Sequence, residues 1–238
     1  MDVLVLQHIA CEPPGVYEDV LVERGVSIER IELDEGGVLP THRDLDAVIA
    51  MGGPMSVNDE AELPWLADEK RFVAETVLAG TPFWGVCLGV QLLAASLGAR
   101  VYLGSAPEVG LLPVTLTDEA VADPVFAGMP HELLSLQWHG DTFDLPDGAT
   151  RLAGSSAYPN QAFRVGAAAY GVQFHLEVSS GLAREWGTVP AYAESLERVL
   201  GQGALDRLLD ELEARSDAVL PHGRRVFERW LDGQAVQA

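Results

Sequence analysis

Gly85-Val86-Cys87-Leu88-Gly89 places a cysteine between two glycines at the spacing of a nucleophile's turn. Pro82 to Val86 is a short apolar run that predicts a buried strand, and Leu88, Leu92, Leu93 and Leu97 then recur at helical spacing. Cys87 therefore falls on a strand-to-helix junction. The chain must turn sharply there, and glycine at 85 and 89 removes side chains that would collide. Such a turn lifts the thiol out of the sheet and sets it at a helix N-terminus, where unpaired N–H groups favour the thiolate. An inert buried cysteine between packing glycines reads the same way, and this segment alone leaves both open.

A base for that thiol has two candidates. Ala169 to Glu177 reads AYGVQFHLE. If its strand continues through His175 and Glu177, the two side chains share a face, and Glu177 can hold one imidazole nitrogen while the other takes the thiol proton. His139, in Gln137-Trp138-His139-Gly140-Asp141, also follows an apolar strand, Glu132 to Trp138, and has Asp141 two residues on. Spacing does not choose between the histidines. Met51-Gly52-Gly53-Pro54 ends another apolar strand, Asp46 to Met51. Two glycines leave backbone exposed, so an N–H here can face a developing oxyanion, with the N–H of Leu88 after the nucleophile as its partner. A plain turn would look alike.

The elements that must position these groups read as an open α/β domain. Val3 to Gln7 and Val26 to Leu33 are strands around a helix, Val16 to Gly25. Loops at the carboxyl ends of such strands collect ligands, which places His8 and Cys11 on the rim; His8 is expected to make a local hydrogen bond rather than to react. Ser56 to Pro64 is a polar rim, and Trp65 to Leu78 a helix leading into the cysteine's strand. Ala99 to Leu116 reads as strands broken at Gly104, Pro107 and Gly110 into a hairpin. Thr150 to Gly154, Gln161 to Val165 and Ala167 to Phe174 complete a meander that brings in His175. Helices are expected over Pro190 to Leu200, Leu205 to Ala218 and Arg224 to Leu231, separated by Gly201, Gly203, Pro221 and Gly223. Val226, Phe227, Trp230 and Leu231 form an apolar stripe that either packs on its own sheet or docks a partner.

Composition excludes several roles. The 238 residues carry 36 acidic against 15 basic side chains, a formal charge of −21, with Lys70 the only lysine. Nucleic acid and anionic membrane surfaces are thus disfavoured as partners. No uncharged stretch is long enough to span a bilayer, and no signal-like segment follows Met1, so a cytoplasmic location is expected. The two cysteines, Cys11 and Cys87, lack metal-type spacing, and neither a metal nor another cofactor is expected.

GVCLGVQLLA followed by YGVQFHLEV, with Met51-Gly52-Gly53-Pro54 ahead of both, resembles the class I glutamine amidotransferase domain over Val3 to Val178. The resemblance implies a flavodoxin-like, mostly parallel sheet with flanking helices and added antiparallel strands over residues 1–180. A helical extension over 181–238 would pack on the same domain. It implies that Cys87 attacks the side-chain amide of L-glutamine, that His175 rather than His139 is the base, and that Glu177 orients it. Gly53 joins Leu88 in the oxyanion hole. Gly52, Gln91 and the loop Trp138, His139, Gly140 and Asp141 line the substrate site. Without the resemblance Gln91 is only an exposed helical glutamine.

Two departures stand out. Val90 occupies a position where relatives often carry histidine, and Trp138 one where members attached to a synthetase often carry serine or asparagine. The second predicts a pocket of different width. The branch most resembled passes ammonia to a GMP synthase nucleotide-binding domain, yet no glycine-rich phosphate loop occurs in these residues. Either a separate chain holds the acceptor, or this one acts alone as a γ-glutamyl hydrolase or peptidase. A non-catalytic regulatory or binding subunit would not need a complete elbow and triad. A cysteine redox protein would leave Glu177 unexplained.

Overall fold

The computed structural model describes residues 1–40 and 45–235. The chain begins β1 (Asp2–Gln7), α1 (Val16–Glu23), β2 (Ser27–Glu32), β3 (Ala47–Ala50), α2 (Trp65–Leu78), β4 (Phe83–Val86) and α3 (Leu88–Ser96). It continues β5 (Val101–Leu116), α4 (Asp118–Ala122), β6 (Glu132–Phe143), β7 (Thr150–Gly154), β8 (Ala162–Val165) and β9 (Ala169–Val172). Three helices follow: α5 (Ser180–Trp186), α6 (Pro190–Leu200) and α7 (Ala204–Ala235). No helix among the described residues is long and apolar enough to cross a membrane.

The strands form one sheet in the order β2-β1-β3-β4-β9-β8-β7-β5-β6. Pairings from β2 to β9 are parallel, and those from β9 to β6 antiparallel. The parallel half has the doubly wound order whose ligands gather beyond the carboxyl ends of the strands. Buried on both faces, β1 reads as an unbroken apolar run. Its Val3 and Val5 face the core with Tyr17, Trp84, Phe227 and Trp230, and its Leu4 and Leu6 the core with Val48, Leu66, Val73 and Leu92.

Four local expectations are corrected. The segment Ala99 to Leu116 is a single strand, with a register shift between Leu103 and Glu108 in its pairing to β6 in place of a break. Trp138 to Asp141 lie within β6, because the facing β5 supplies partners as far as Phe143. The strand before His175 ends at Val172, and His175 sits in an isolated antiparallel bridge to Leu136. Finally, Pro221 and Gly223 do not separate two helices: α7 runs through both.

Helix α7 survives its proline because it is clamped along a buried face. Val226, Phe227, Trp230 and Leu231 are all buried, so the apolar stripe packs on its own sheet. Trp230 donates to the Ala168 carbonyl at 3.0 Å, and its ring lies against Trp84 and Phe227. Where the proline interrupts the ladder, His222 Nδ1 donates to the Ala218 carbonyl at 2.9 Å.

Gly223 is there for closeness. A Cβ built on it would lie 2.3 Å from the Leu176 carbonyl oxygen, in the segment between His175 and Glu177. Helix propensity alone would make Gly223→Ala stabilising by up to about 1 kcal/mol. Overpacking against backbone opposes this by roughly 1–3 kcal/mol or more. The collision should win, and the thermal midpoint of Gly223→Ala should fall by several degrees in a melting experiment.

Candidate active site

Cys87 is the one non-glycine among the described residues with a positive φ, +52°. Its N–H donates to the Val172 carbonyl at 2.9 Å, and that of Gly89 to the Met51 carbonyl at 3.1 Å, so β9 and β3 hold the turn from both sides. Cβ atoms on Gly85 and Gly89 would fall 2.5 Å from the Gly89 oxygen and 2.1 Å from the Ala50 oxygen. The glycines therefore allow α3 to seat directly on the strand ends. A strained residue of this kind costs on the order of 1–3 kcal/mol and persists because its surroundings over-determine it.

His175 is buried opposite. The bridge to Leu136, with N···O distances of 2.9 and 3.0 Å, fixes its backbone, and Trp186 stands edge-on to its ring at 4.8 Å. Nδ1 lies 2.6 Å from Glu177 Oε1, which leaves Nε2 for the thiol of Cys87, whose charge also acts on the ring. Burial pulls the His175 pKa down, but the Glu177 carboxylate and Cys87 outweigh it, and the result stands well above the ordinary histidine value. Glu177 is held in turn: Oε2 accepts from the Leu176 N–H at 3.0 Å, and its carbonyl accepts from Val16 at the start of α1.

Gly53 packs against Leu88; a Cβ on Gly53 would be 3.0 Å from Leu88 Cδ2. Neither N–H donates to a backbone carbonyl among the described residues. Both are free to meet an oxyanion beside Cys87. Gln91 is buried, not exposed, because α3 is sunk between the sheet and α2. Its Nε2 donates to Gln173 Oε1 at 3.0 Å, and Gln173 Nε2 reaches Cys87 Sγ at 3.5 Å.

A cleft of about 500 Å³ opens from Cys87. Gln91, Trp138, His139, Gly140 and Asp141 line it together with Gly53 and Leu88. Gly52 is not among the lining residues; it sits behind them, where a Cβ would be 2.0 Å from Glu12 Oε2 and 3.5 Å from Cys87 Cβ. His139 is engaged elsewhere, with Nδ1 2.9 Å from the Asp141 carbonyl and Nε2 3.2 Å from Glu108 Oε2. Of the two histidines, then, it is His175 that meets the thiol. Asp141 accepts from Ser56 Oγ at 2.7 Å.

Several groups here lie beyond the sequence reading. Helix α6 walls the cleft with Tyr192, Ser195 and Arg198, three residues apart on one face. Ser195 Oγ accepts from Trp138 Nε1 at 2.9 Å, and the Tyr192 hydroxyl donates to Glu12. Burial holds the Glu12 carboxyl above its usual range despite the His175 charge and the Tyr192 hydroxyl. The spacing on α6 was visible; its position over the cleft was not. Cys11 offers no rival nucleophile, since burial and the Glu12 carboxylate push its pKa up to about 11. No cluster of three or more His, Cys, Asp or Glu side chains among the described residues is arranged to hold a metal ion.

An elbow cysteine, a buried histidine between it and a glutamate, and this sheet order define the class I glutamine amidotransferase type of site, and the family comparison agrees. The glutamine amidotransferase class-I family matches residues 17–186, and the chain belongs to it. It is 33% identical to the glutamine amidotransferase-like protein YfeJ of Salmonella typhimurium over 181 residues, 74% of this chain and 76% of that protein. To a subunit of the glutamine-hydrolysing GMP synthase of Sulfolobus acidocaldarius it is 29% identical, over 69% of this chain and 85% of the relative. A glutamine amidotransferase structure from Thermotoga maritima superposes with a TM-score of 0.87 at 33% identity, covering 98% of both chains. One from Methylobacillus flagellatus gives 0.87 at 29% identity, over 98% of this chain and 94% of the other.

Proposed function

We propose that this chain hydrolyses the side-chain amide of L-glutamine through a γ-glutamyl thioester on Cys87, and that the ammonia passes to an acceptor on a separate chain. The observation that carries this is the buried His175, held by Glu177 at 2.6 Å and acting electrostatically on Cys87, which stands at the strained turn. The Cys87 sulfur attacks the amide carbon as a C–S bond forms, with the thiol proton held on His175 Nε2. The resulting oxyanion meets the N–H groups of Gly53 and Leu88. Collapse breaks the C–N bond as His175 returns its proton to the departing nitrogen, releasing ammonia. Water then attacks the thioester, His175 takes its proton, and the C–S bond breaks to give glutamate. Support for a separate acceptor comes from the similarity to a GMP synthase glutamine-hydrolysing subunit.

A second reading, a self-sufficient γ-glutamyl hydrolase, is favoured by the wall that α6 and Trp138 build across the cleft. Arg198 is the only lysine or arginine lining the cleft and makes no ion pair with the described residues. It suits a leaving amine that carries a carboxylate. The test is release of ammonia and glutamate from L-glutamine by the purified chain, beside γ-glutamyl amino acids and uncharged γ-glutamyl amides. Rapid turnover of the γ-glutamyl compounds with slow glutamine cleavage would replace the first reading by the second. In that event Arg198→Ala should raise KM for γ-glutamyl amino acids by about 3- to 10-fold and leave the uncharged amides unchanged, since an exposed pair contributes little.

A further inference from the structure

His8, on the loop after β1, and Glu69, on α2, form a second histidine–glutamate pair, which the chemistry above does not use. His8 and Glu69 are both fully buried; His8 Nε2 lies 2.8 Å from Glu69 Oε1, and His8 Nδ1 lies 3.0 Å from the Gly52 carbonyl oxygen. They stand 61 residues apart, so this is tertiary construction and no local turn. Helix α2 supplies both sides of the clamp, since Trp65, one turn before Glu69, stacks on the His8 ring at 5.9 Å with planes 19° apart.

We infer that His8, held by Glu69 and Trp65, is a positioning residue that sets the oxyanion-hole peptide between Gly52 and Gly53. No peptide bond among the described residues is cis, and in a trans unit the C=O and N–H point in opposite directions. Gripping the Gly52 oxygen on one side therefore aims the Gly53 N–H at the other. The unit lies between the two groups: a Cβ on Gly53 would meet His8 Cβ and Leu88 Cδ2 at 3.0 Å each. A double-glycine segment has no side chain to hold its orientation, and an external anchor is what it lacks.

The proton inventory agrees. A carbonyl only accepts, so Nδ1 must carry hydrogen. Burial alone would lower the His8 pKa; Glu69, the Gly52 carbonyl and Glu12 outweigh it and raise it. Stability does not account for the pair, because buried ion pairs are commonly matched or bettered by apolar residues of similar volume.

The inference rests on the Cys87 reading, and the experiment separates the two. Cys87 is labelled by iodoacetamide, which needs only the thiolate, and by the chloroketone analogue of glutamine. In the latter the sulfur first adds to the ketone carbon, placing an oxyanion in the hole; it then displaces chloride from the adjacent methylene, and the first C–S bond breaks as the ketone re-forms. Both adducts are counted by mass spectrometry. His8→Leu should slow chloroketone labelling about 10²-fold, as for loss of an oxyanion donor, and iodoacetamide labelling less than about 2-fold. His8→Asn, whose amide N–H can reach the Gly52 oxygen, should recover about tenfold of that loss. If His8→Leu does not fold, Glu69→Gln should show about a tenfold loss in the same ratio. An unchanged ratio in a folded variant, or equal slowing by both reagents, overturns the inference. Failure of the chloroketone to label the unaltered chain sinks the Cys87 reading and this one with it.

Discussion

Cys87→Ala should lower turnover by a factor on the order of 10⁴ to 10⁶ while leaving the fold intact. Cys87 is the only cysteine that lines the cleft, Cys11 is held protonated, and the hydroxyls of Ser56, Tyr192 and Ser195 donate to Asp141, Glu12 and the Tyr192 carbonyl. The fold should survive because the turn is held by backbone bonds from Cys87 and Gly89 to Val172 and Met51, none of which involves the thiol. A companion variant separates chemistry from strain. Glycine accepts φ of +52° without penalty, so Cys87→Gly should be as inactive yet more stable by about 1–2 kcal/mol. Ammonia release and a thermal melt read both effects. Activity within tenfold of the unaltered chain would remove Cys87 from the mechanism.

Glu177→Gln is expected to cut kcat by about 10²- to 10⁴-fold, the range seen when a triad's orienting acid loses its charge. Two things are lost together. The amide can present its N–H to Nδ1 and so turn the ring into the wrong tautomer, and the charge that opposes the burial of imidazolium disappears. With burial no longer outweighed, the His175 pKa should drop from well above its ordinary value. The stability that comes with the His175 cation is full below pH 6.5 and fades as pH rises through the raised value, so the variant's loss should be larger at pH 6 than at pH 8. Melting at pH 6 and pH 8, with iodoacetamide rates at Cys87, checks the sign. Equal stability loss at every pH would mean that Glu177 acts through packing alone.

The site was legible where function is local in the chain. Gly85 and Gly89 flank Cys87 within a few residues, and the clash each avoids involves the adjoining turn or the neighbouring strand. The His175 and Glu177 pair could be read from a separation of two, although the strand expected to align them stops at Val172 and the bridge to Leu136 does that work. What spacing could not show lies at long range. His8 finds Gly52 and Glu69 at separations of 44 and 61, and Glu12 finds Tyr192 at 180. Pro221 misled for a different reason: the propensity to end a helix there is local, and burial of Phe227 and Trp230 against Tyr17 and Trp84 overrides it.

That last packing has a bearing on the order of events during synthesis. Tyr17 and Trp84 form the floor beneath β1 and β4, but Phe227 and Trp230 complete it, and Arg24 and Glu23 on α1 await Asp232 and Arg224 on α7. One face of the central strands thus stays uncovered until Arg224 to Asp232 have left the ribosome. The contacts that close it are among the most distant in the sequence, which makes for slow closure and a long interval of exposed apolar surface. Because α7 also packs against Leu176 at Gly223, the segment that holds His175 and Glu177 shares in that closure. A chain in which α7 has not yet docked should therefore carry Cys87 as an ordinary thiol and acquire its reactivity when that helix seats.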